Sequence, residues 1–246
     1  MAEPMPAAES PVDHGPARPW RACLVPFVVF TLGGMLEPTA AGGGLAGALG
    51  IPPAAYPVVY ALKLLATAVA VGLAWPDLAR WVGRPTWWPP LLGLALVVPW
   101  VVLAVLQREA GWGAIGGSRS GFDPWGAFPA ESPWGPAFLA VRFAGLVVLV
   151  PIVEELFLRG FLMRYVVREN FWEVPFGWLA PAAAAACGIY AVATHPGEAV
   201  AALGWFAVVS GIAAATRRPI DCILAHAATN LALGAYIVAT GNWWLW

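Results

Sequence analysis

The composition of this 246-residue chain excludes an ordinary water-soluble domain. Hydrophobic residues make up 60% of the chain and charged residues only 11%, and the mean hydropathy is +0.72, whereas soluble domains carry roughly 25% charged residues. The formal net charge is −1 and no long basic run occurs, which excludes nucleic acid as a partner. We therefore expect lipid to be the solvent for most of the chain.

Apolar stretches of membrane-spanning length follow one another along the chain. A helix needs ~20 apolar residues to cross ~30 Å of hydrocarbon. Residues 1–19 are rich in proline and alanine and are predicted to form a flexible polar tail. The remainder, residues 20–246, is predicted to form one all-α domain, a polytopic transmembrane bundle of about seven helices. The predicted spans are residues 20–36, 56–75, 89–107, 137–166, 178–194, 198–215 and 220–240.

Arginines mark alternate connections between these spans. Positively charged residues concentrate in cytoplasmic loops, so the pattern predicts a cytoplasmic N-terminus and odd-numbered spans that run outward. The arginines that support this orientation are Arg18 and Arg21 before the first span, Arg80 and Arg84 after the second, Arg164 and Arg168 after the fourth, and Arg217 and Arg218 after the sixth.

The fourth stretch carries charged residues at membrane depth, in the sequence VVLVPIVEELFLRGFLMRYVV. A charged side chain at the centre of a membrane helix costs ~2.5–3.5 kcal/mol, so such residues usually pair or face a wet cavity. Glu155 and Arg159 are i, i+4 neighbours and are predicted to form an ion pair. Glu154 is rotated from that face by ~100° and is the predicted general base.

Two histidines and an asparagine complete a set of catalytic groups in the same half of the chain. His195 ends the fifth stretch, and His226 and Asn230 share a helix face in the seventh. The remaining histidine, His14, lies in the polar tail. A carboxylate, two imidazoles and an amide can supply a base, an orienting group and oxyanion donors, which are the parts of a water-activating hydrolase. Residues 137–246 therefore carry the predicted site.

Structural roles suffice for four other charged residues. Lys63 interrupts the second span and is predicted to snorkel or pair, and Arg142 in the fourth is predicted to reach the outer interface. Glu198 and Asp221 lie near helix N-termini, where acidic side chains are stabilised by the exposed N–H groups.

The order of these motifs resembles a known family. E-E-x-x-x-R, then a helix that ends in histidine, then H-x-x-x-N is typical of the CAAX prenyl endopeptidase and bacteriocin-processing (Abi-type) intramembrane proteases. One departure is visible: the family usually has phenylalanine four residues before the second-motif histidine, where this chain has Ala191 beside Tyr190. The phrases YPVVYALK, SGFDPWGAF, PIVEELFLRGFLMR, FWEVPFG, THPGE and LAHAATNLALGAYIVATGNW are similar to a bacterial subgroup associated with exosortase and PEP-CTERM sorting.

The resemblance implies an activity, a location and roles for the candidate residues. It implies an endopeptidase of the bacterial inner membrane that acts on a membrane-associated protein and works beside a sorting-system partner. Glu154, assisted by His195, would activate water. His226 and Asn230 would stabilise the oxyanion, with Glu155 and Arg159 in support.

Three alternatives to this interpretation remain open at this point. Glu154, His195 and His226 are also a donor set for catalytic zinc, although no H-E-x-x-H motif occurs and asparagine is a poor zinc ligand. A non-catalytic membrane scaffold for a sorting or processing partner would use the same polar residues for helix packing. A proton-coupled transporter is disfavoured because no internal repeat is evident.

Overall fold

The computed structural model describes residues 15–39, 43–111 and 121–246, and in these ranges it contains helices and no strand. All seven predicted apolar stretches are helical. The seven helices are α1 (Pro19–Met35), α2 (Pro53–Leu78), α3 (Trp88–Glu109), α4 (Trp134–Tyr165), α5 (Pro181–Thr194), α6 (Pro196–Thr216) and α7 (Pro219–Thr240).

Five of these helices are long and apolar enough to cross a membrane, whereas α1 and α5 are shorter. At 1.5 Å per residue, the 14 residues of α5 extend ~21 Å, less than the ~30 Å of a hydrocarbon core. The all-α multi-pass architecture is thus as predicted. The described residues give five candidate spans in place of the seven expected.

Several helices are interrupted by proline or by a change of helix type. The most informative interruption is in α4, where two π-helical turns flank the segment that carries the two glutamates. Such π-turns are rare and are frequently found at functional sites. The segments of the divided helices are Pro19–Cys23 and Val25–Met35 in α1, Pro53–Ala55 (3-10) and Tyr56–Leu78 in α2, Trp88–Ala95 and Val97–Glu109 in α3, Trp134–Ala144, Gly145–Leu149 (π), Val150–Phe157, Leu158–Leu162 (π) and Met163–Tyr165 in α4, and Pro196–Glu198 (3-10) and Ala199–Thr216 in α6.

Short helical turns lie in the connections between these helices and after α7. They are too short to cross a membrane and add no candidate span. Their bounds are Gly44–Ala48, Pro124–Ala127, Phe171–Glu173 (3-10) and Trp243–Leu245 (3-10).

One end of the bundle carries the arginines that mark alternate connections. Arg18, just before α1, forms an ion pair of 3.0 Å with Asp77 at the end of α2. The backbone N–H of Thr86, before α3, donates to Asp221 of α7 at 2.7 Å. These contacts bring the marked connections together, and we call this the arginine-bearing end.

The predicted polar tail is only partly described. Residues 1–14, with His14, lie outside the described residues. From residue 15 onward the tail lies against the bundle, because Gly15 approaches Trp172 and Arg18 binds Asp77.

Close packing of α3 against α7 fixes the position of α7, the helix that carries His226 and Asn230. A side chain at Gly93 would collide with the backbone carbonyl of Ala225, so only glycine allows this approach. The Thr229 hydroxyl donates to the Gly93 carbonyl at 2.8 Å. Small residues and interhelical hydroxyl hydrogen bonds of this kind drive helix association in membranes.

The turn between α5 and α6 is held by a residue from α3. The Gln107 side-chain oxygen accepts hydrogen bonds from the backbone N–H groups of Val200 and Ala201 at 3.1 and 3.3 Å. These donors belong to the first turn of a helix and have no partner within it. Gln107 therefore fixes the start of α6 and, through it, the preceding His195.

Candidate active site

A cavity of about 290 Å³ lies inside the bundle and collects the four predicted catalytic side chains. Glu154 comes from α4, His195 from the end of α5, and His226 and Asn230 from α7. The cavity continues toward the end opposite the arginine-bearing end. The other lining residues are Phe30, Glu37, Tyr60, Lys63, Trp100, Arg142, Leu146, Val150, Trp205, Phe206, Thr229, Leu233, Leu245 and Trp246.

The two adjacent glutamates have different surroundings. Glu154 is half-buried and lines the cavity. Glu155 is 2% exposed and lies behind the wall, where the predicted ion pair with Arg159 is present at 2.5 Å. Arg159 also donates to the backbone carbonyl of Phe206 at 3.0 Å. This buried pair is therefore compensated within the protein and ties α4 to α6.

His226 is held by the carboxylate that sequence reasoning assigned only to Arg159. Its Nδ1 lies 2.9 Å from Oε1 of Glu155, and its ring packs edge-on against Trp205 at 4.6 Å between centroids. A carboxylate accepts hydrogen bonds, so Nδ1 carries the proton in this contact. In the neutral ring, Nε2 is then the nitrogen with the lone pair.

His195 is oriented by the residue before it. Its Nδ1 lies 2.9 Å from the Thr194 hydroxyl, which donates its proton to the Tyr190 carbonyl at 2.8 Å. The hydroxyl therefore accepts from Nδ1–H, which places the lone pair of the neutral ring on Nε2. The ring also packs edge-on against Trp100, 5.4 Å away.

Four residues before His195, where the family usually has phenylalanine, this chain has Ala191, and the neighbouring Tyr190 supplies an aromatic ring. Ala191 is fully buried in the packed interior. Tyr190 lies among Phe157 and Phe206, with ring centroids 5.8 Å from each. The aromatic group thus comes from the adjacent position on α5.

Asn230 is anchored to the first π-helical turn of α4. Its side-chain Nδ2 donates to the carbonyl of Leu146 at 2.8 Å. The amide NH2 has two N–H groups. The bond to Leu146 uses one of them, and the second is left to donate to another acceptor. Next to it, Thr229 accepts from the indole N–H of Trp205 at 3.1 Å, which fixes the ring against His226.

The three candidate zinc ligands, Glu154, His195 and His226, are not arranged as a zinc-binding site in this structure. Within residues 15–39, 43–111 and 121–246, no group of three or more His, Cys, Asp or Glu side chains is arranged to hold a metal ion. The three cysteines, Cys23, Cys187 and Cys222, are buried and unbridged.

Sequence reasoning missed a second polar group in the same cavity. Lys63 pairs with Glu37 at 2.5 Å, as a pairing role predicts, but both residues line the cavity. Arg142 also lines the cavity and donates to the Tyr56 hydroxyl at 2.5 Å. Charge at membrane depth was the available signal, whereas the cavity position depends on helix rotation that the sequence does not reveal.

Its multiple apolar helices make this a multi-pass membrane protein. Residues 136–232 match the model of the family described as type II CAAX prenyl endopeptidase Rce1-like. The match covers less than half of the chain but includes Glu154, His195, His226 and Asn230, and it supports this family and a membrane protease. No curated protein and no solved structure matches the chain.

Proposed function

We propose that the protein is an intramembrane endopeptidase that hydrolyses a peptide bond of a membrane-associated protein substrate. The observation that carries the proposal is the gathering of Glu154, His195, His226 and Asn230 in one cavity. These residues come from three different helices, and all lie in the stretch that matches the family. A packing role alone does not require four such groups around a shared space.

The proposed reaction uses a water molecule activated by Glu154. Glu154, assisted by His195, accepts a proton as the water oxygen attacks the peptide carbonyl carbon. The second N–H of the Asn230 amide donates to the developing oxyanion. His226 donates there only as an imidazolium, through Nε2–H, because its Nδ1–H is bound to Glu155. The C–N bond then breaks, and the proton held by Glu154 passes to the departing amine.

Glu155 and Arg159 act as positioning residues in this scheme. Glu155 orients the His226 ring through Nδ1, while Arg159 binds the other oxygen of this buried carboxylate. An imidazole held by a carboxylate on one nitrogen presents the other nitrogen in a fixed direction.

Location and biological setting belong to the same proposal. The arginine pattern supports a cytoplasmic N-terminus. The phrases similar to the exosortase-associated subgroup support a bacterial inner membrane and a link to protein sorting. The sorting partner would then be the source of the substrate.

The proposal is tested by comparing membrane proteins from cells that express the wild-type chain or the Glu154→Gln variant. Terminal peptides identified by mass spectrometry should include a cleavage product that depends on Glu154. Glu169→Gln is the matched control, because Glu169 is exposed and lies outside the cavity. A product that persists in a folded Glu154→Gln protein would contradict the proposal. Lost assembly of a partner without any lost product would instead favour the scaffold.

A further inference from the structure

Arg142 lines the proposed catalytic cavity and forms no ion pair with a carboxylate of the described residues. Among the described residues, no acidic side chain lies within ion-pair distance of it. Nearby, Lys63 is already paired with Glu37, so Glu37 does not serve as the ion-pair partner of Arg142. An unpaired cation at membrane depth is costly, and such residues usually serve a ligand or a conduction path.

The contacts of Arg142 leave the Nη2 group of the guanidinium for a ligand. Its Nη1 donates to the Tyr56 hydroxyl, and the group lies over the rings of Tyr60 and Trp246 at 4.9 and 5.2 Å. Its Nε is buried and has no hydrogen-bond partner among the described residues. Nη2 forms no hydrogen bond with a described residue and is the N–H group left to donate to a carboxylate in the cavity.

We propose that Arg142 forms a subsite for a carboxylate group of the peptide substrate, which selects substrates with a negative charge on one side of the cut bond. The proposal rests on the proposed endopeptidase function, because it places the same peptide along the cavity. The carboxylate is either the terminal carboxylate of the chain or an acidic side chain, since both have the same chemistry.

The spacing of Arg142 and Glu154 limits where this charge lies in the substrate. They are twelve residues apart on α4, from 142 to 154, or ~18 Å at 1.5 Å per residue. An extended peptide covers ~3.3 Å per residue. The carboxylate is therefore expected within about five residues of the cut bond.

The depth of Arg142 favours a peptide over a lipid headgroup. It lies eight residues into α4, which begins at Trp134, and so ~12 Å below the start of the helix. Trp134 is exposed, as expected of a residue near the membrane interface. The guanidinium lies in the cavity against Tyr60 and Trp246. A peptide that reaches Glu154 passes beside it, whereas a lipid phosphate reaches it only by entering the same cavity.

Binding to the inactive Glu154→Gln protein tests the subsite without cleavage. The full-length chain is placed in phosphatidylcholine nanodiscs and titrated with three acetylated apolar pentapeptides: a free acid, its C-terminal amide, and an amide whose last residue is glutamate. We expect one or both of the charged peptides to bind about ten- to a hundred-fold more tightly than the uncharged amide. Tighter binding of the free acid would show that the subsite binds the terminal carboxylate, and tighter binding of the glutamate peptide would show that it binds an acidic side chain.

Variants at position 142 decide whether this arginine provides the preference. In the Glu154→Gln protein, Arg142→Gln should abolish the preference for charged peptides and Arg142→Lys should keep part of it. Arg84→Gln, at an exposed position, should leave the preference unchanged. Size-exclusion profiles check that each variant is folded. Equal binding of acid and amide, or a preference that survives Arg142→Gln, overturns the proposal. If added phosphatidylglycerol removes the preference, the site binds a lipid headgroup, and this result would also overturn the proposal.

The two proposals can fail separately. If cleavage requires Glu154 but the charge preference is missing, the subsite is wrong and the endopeptidase stands. If cleavage is independent of Glu154, the endopeptidase fails whatever the peptides do.

Discussion

Arg159 and Arg142 lie on the same membrane helix and have different surroundings. Arg159 is 2% exposed, pairs with Glu155 and donates to the carbonyl of Phe206. Arg142 lines the cavity, contacts aromatic rings and forms no ion pair with a carboxylate of the described residues. In both arginines Nε is buried without an acceptor in the described chain. One arginine is thus compensated by the protein, whereas the other has its charge directed at a cavity.

The comparison separates structural charge from functional charge. A buried ion pair becomes a liability only when one partner is removed, because the remaining charge is then isolated. A cation that faces a cavity can be removed at little structural cost. Mutations at the two positions should therefore affect different properties.

The largest expected effect on stability comes from Arg159→Ala. It removes the charge partner of the buried Glu155 and leaves that carboxylate only its hydrogen bond with His226, so it should destabilise the protein by ~3–5 kcal/mol. Arg142→Ala is the matched variant on the same helix and should change stability by about 1 kcal/mol or less. Folded yield and thermal unfolding in detergent measure both. Equal destabilisation by the two variants would contradict the claim that Arg159 has a structural role and Arg142 does not.

Asn230→Ala should act on the reaction. Removal of one oxyanion donor in proteases lowers kcat by ~10²–10³, or ~2.7–4 kcal/mol in the barrier. Loss of the bond to Leu146 should cost a further ~1 kcal/mol of stability. Cleavage rates of the folded variant measure the effect, with the exposed Asn170→Ala as control. Unchanged kcat would remove Asn230 from the reaction.

Thr229→Val should have a smaller effect on the wall that supports His226. The variant keeps the shape of the side chain but leaves the buried indole N–H of Trp205 without its acceptor, at a cost of ~1–3 kcal/mol. Thr240→Val, at the exposed end of α7, removes only a local hydroxyl contact. Thermal unfolding of the two variants compares them, and equal stability would mean that this hydrogen bond does not support the site.

Membrane labelling sharpens the comparison between the two ends of the bundle. In a background where Cys23, Cys187 and Cys222 are replaced by alanine, Arg84→Cys should react only from the cytoplasmic side. Asn242→Cys should react only from outside, because the two positions lie at opposite ends. Labelling of both from the same side would contradict the proposed topology.

Local patterns in the sequence predicted much of the architecture. Apolar length indicated each helical segment, and the i, i+4 spacing of Glu155 and Arg159 predicted a pair that is present. The count of spans was less certain, since α5 ends at Thr194 and is short for a span. The π-helical turns were not predicted, because they depend on how α4 packs against its neighbours.

Contacts between distant helices account for what the sequence did not show. The bond between His226 and Glu155 joins residues 71 positions apart. The pairing of Lys63 with Glu37 likewise depends on how α1 and α2 are rotated. Individual unusual residues are visible in the sequence, whereas their shared cavity is not.

The central claim is that Glu154 is the general base, and the Glu154→Gln variant tests it most directly when cleavage and zinc content are measured on the same purified protein. The substitution keeps the shape and hydrogen-bonding capacity of the side chain but cannot accept the proton. We expect cleavage to disappear, folding to persist and the zinc content to be the same in both proteins. Stoichiometric zinc in the wild type that is lost together with activity would contradict the account, because an amide is a weak zinc ligand and Glu154 would then bind metal.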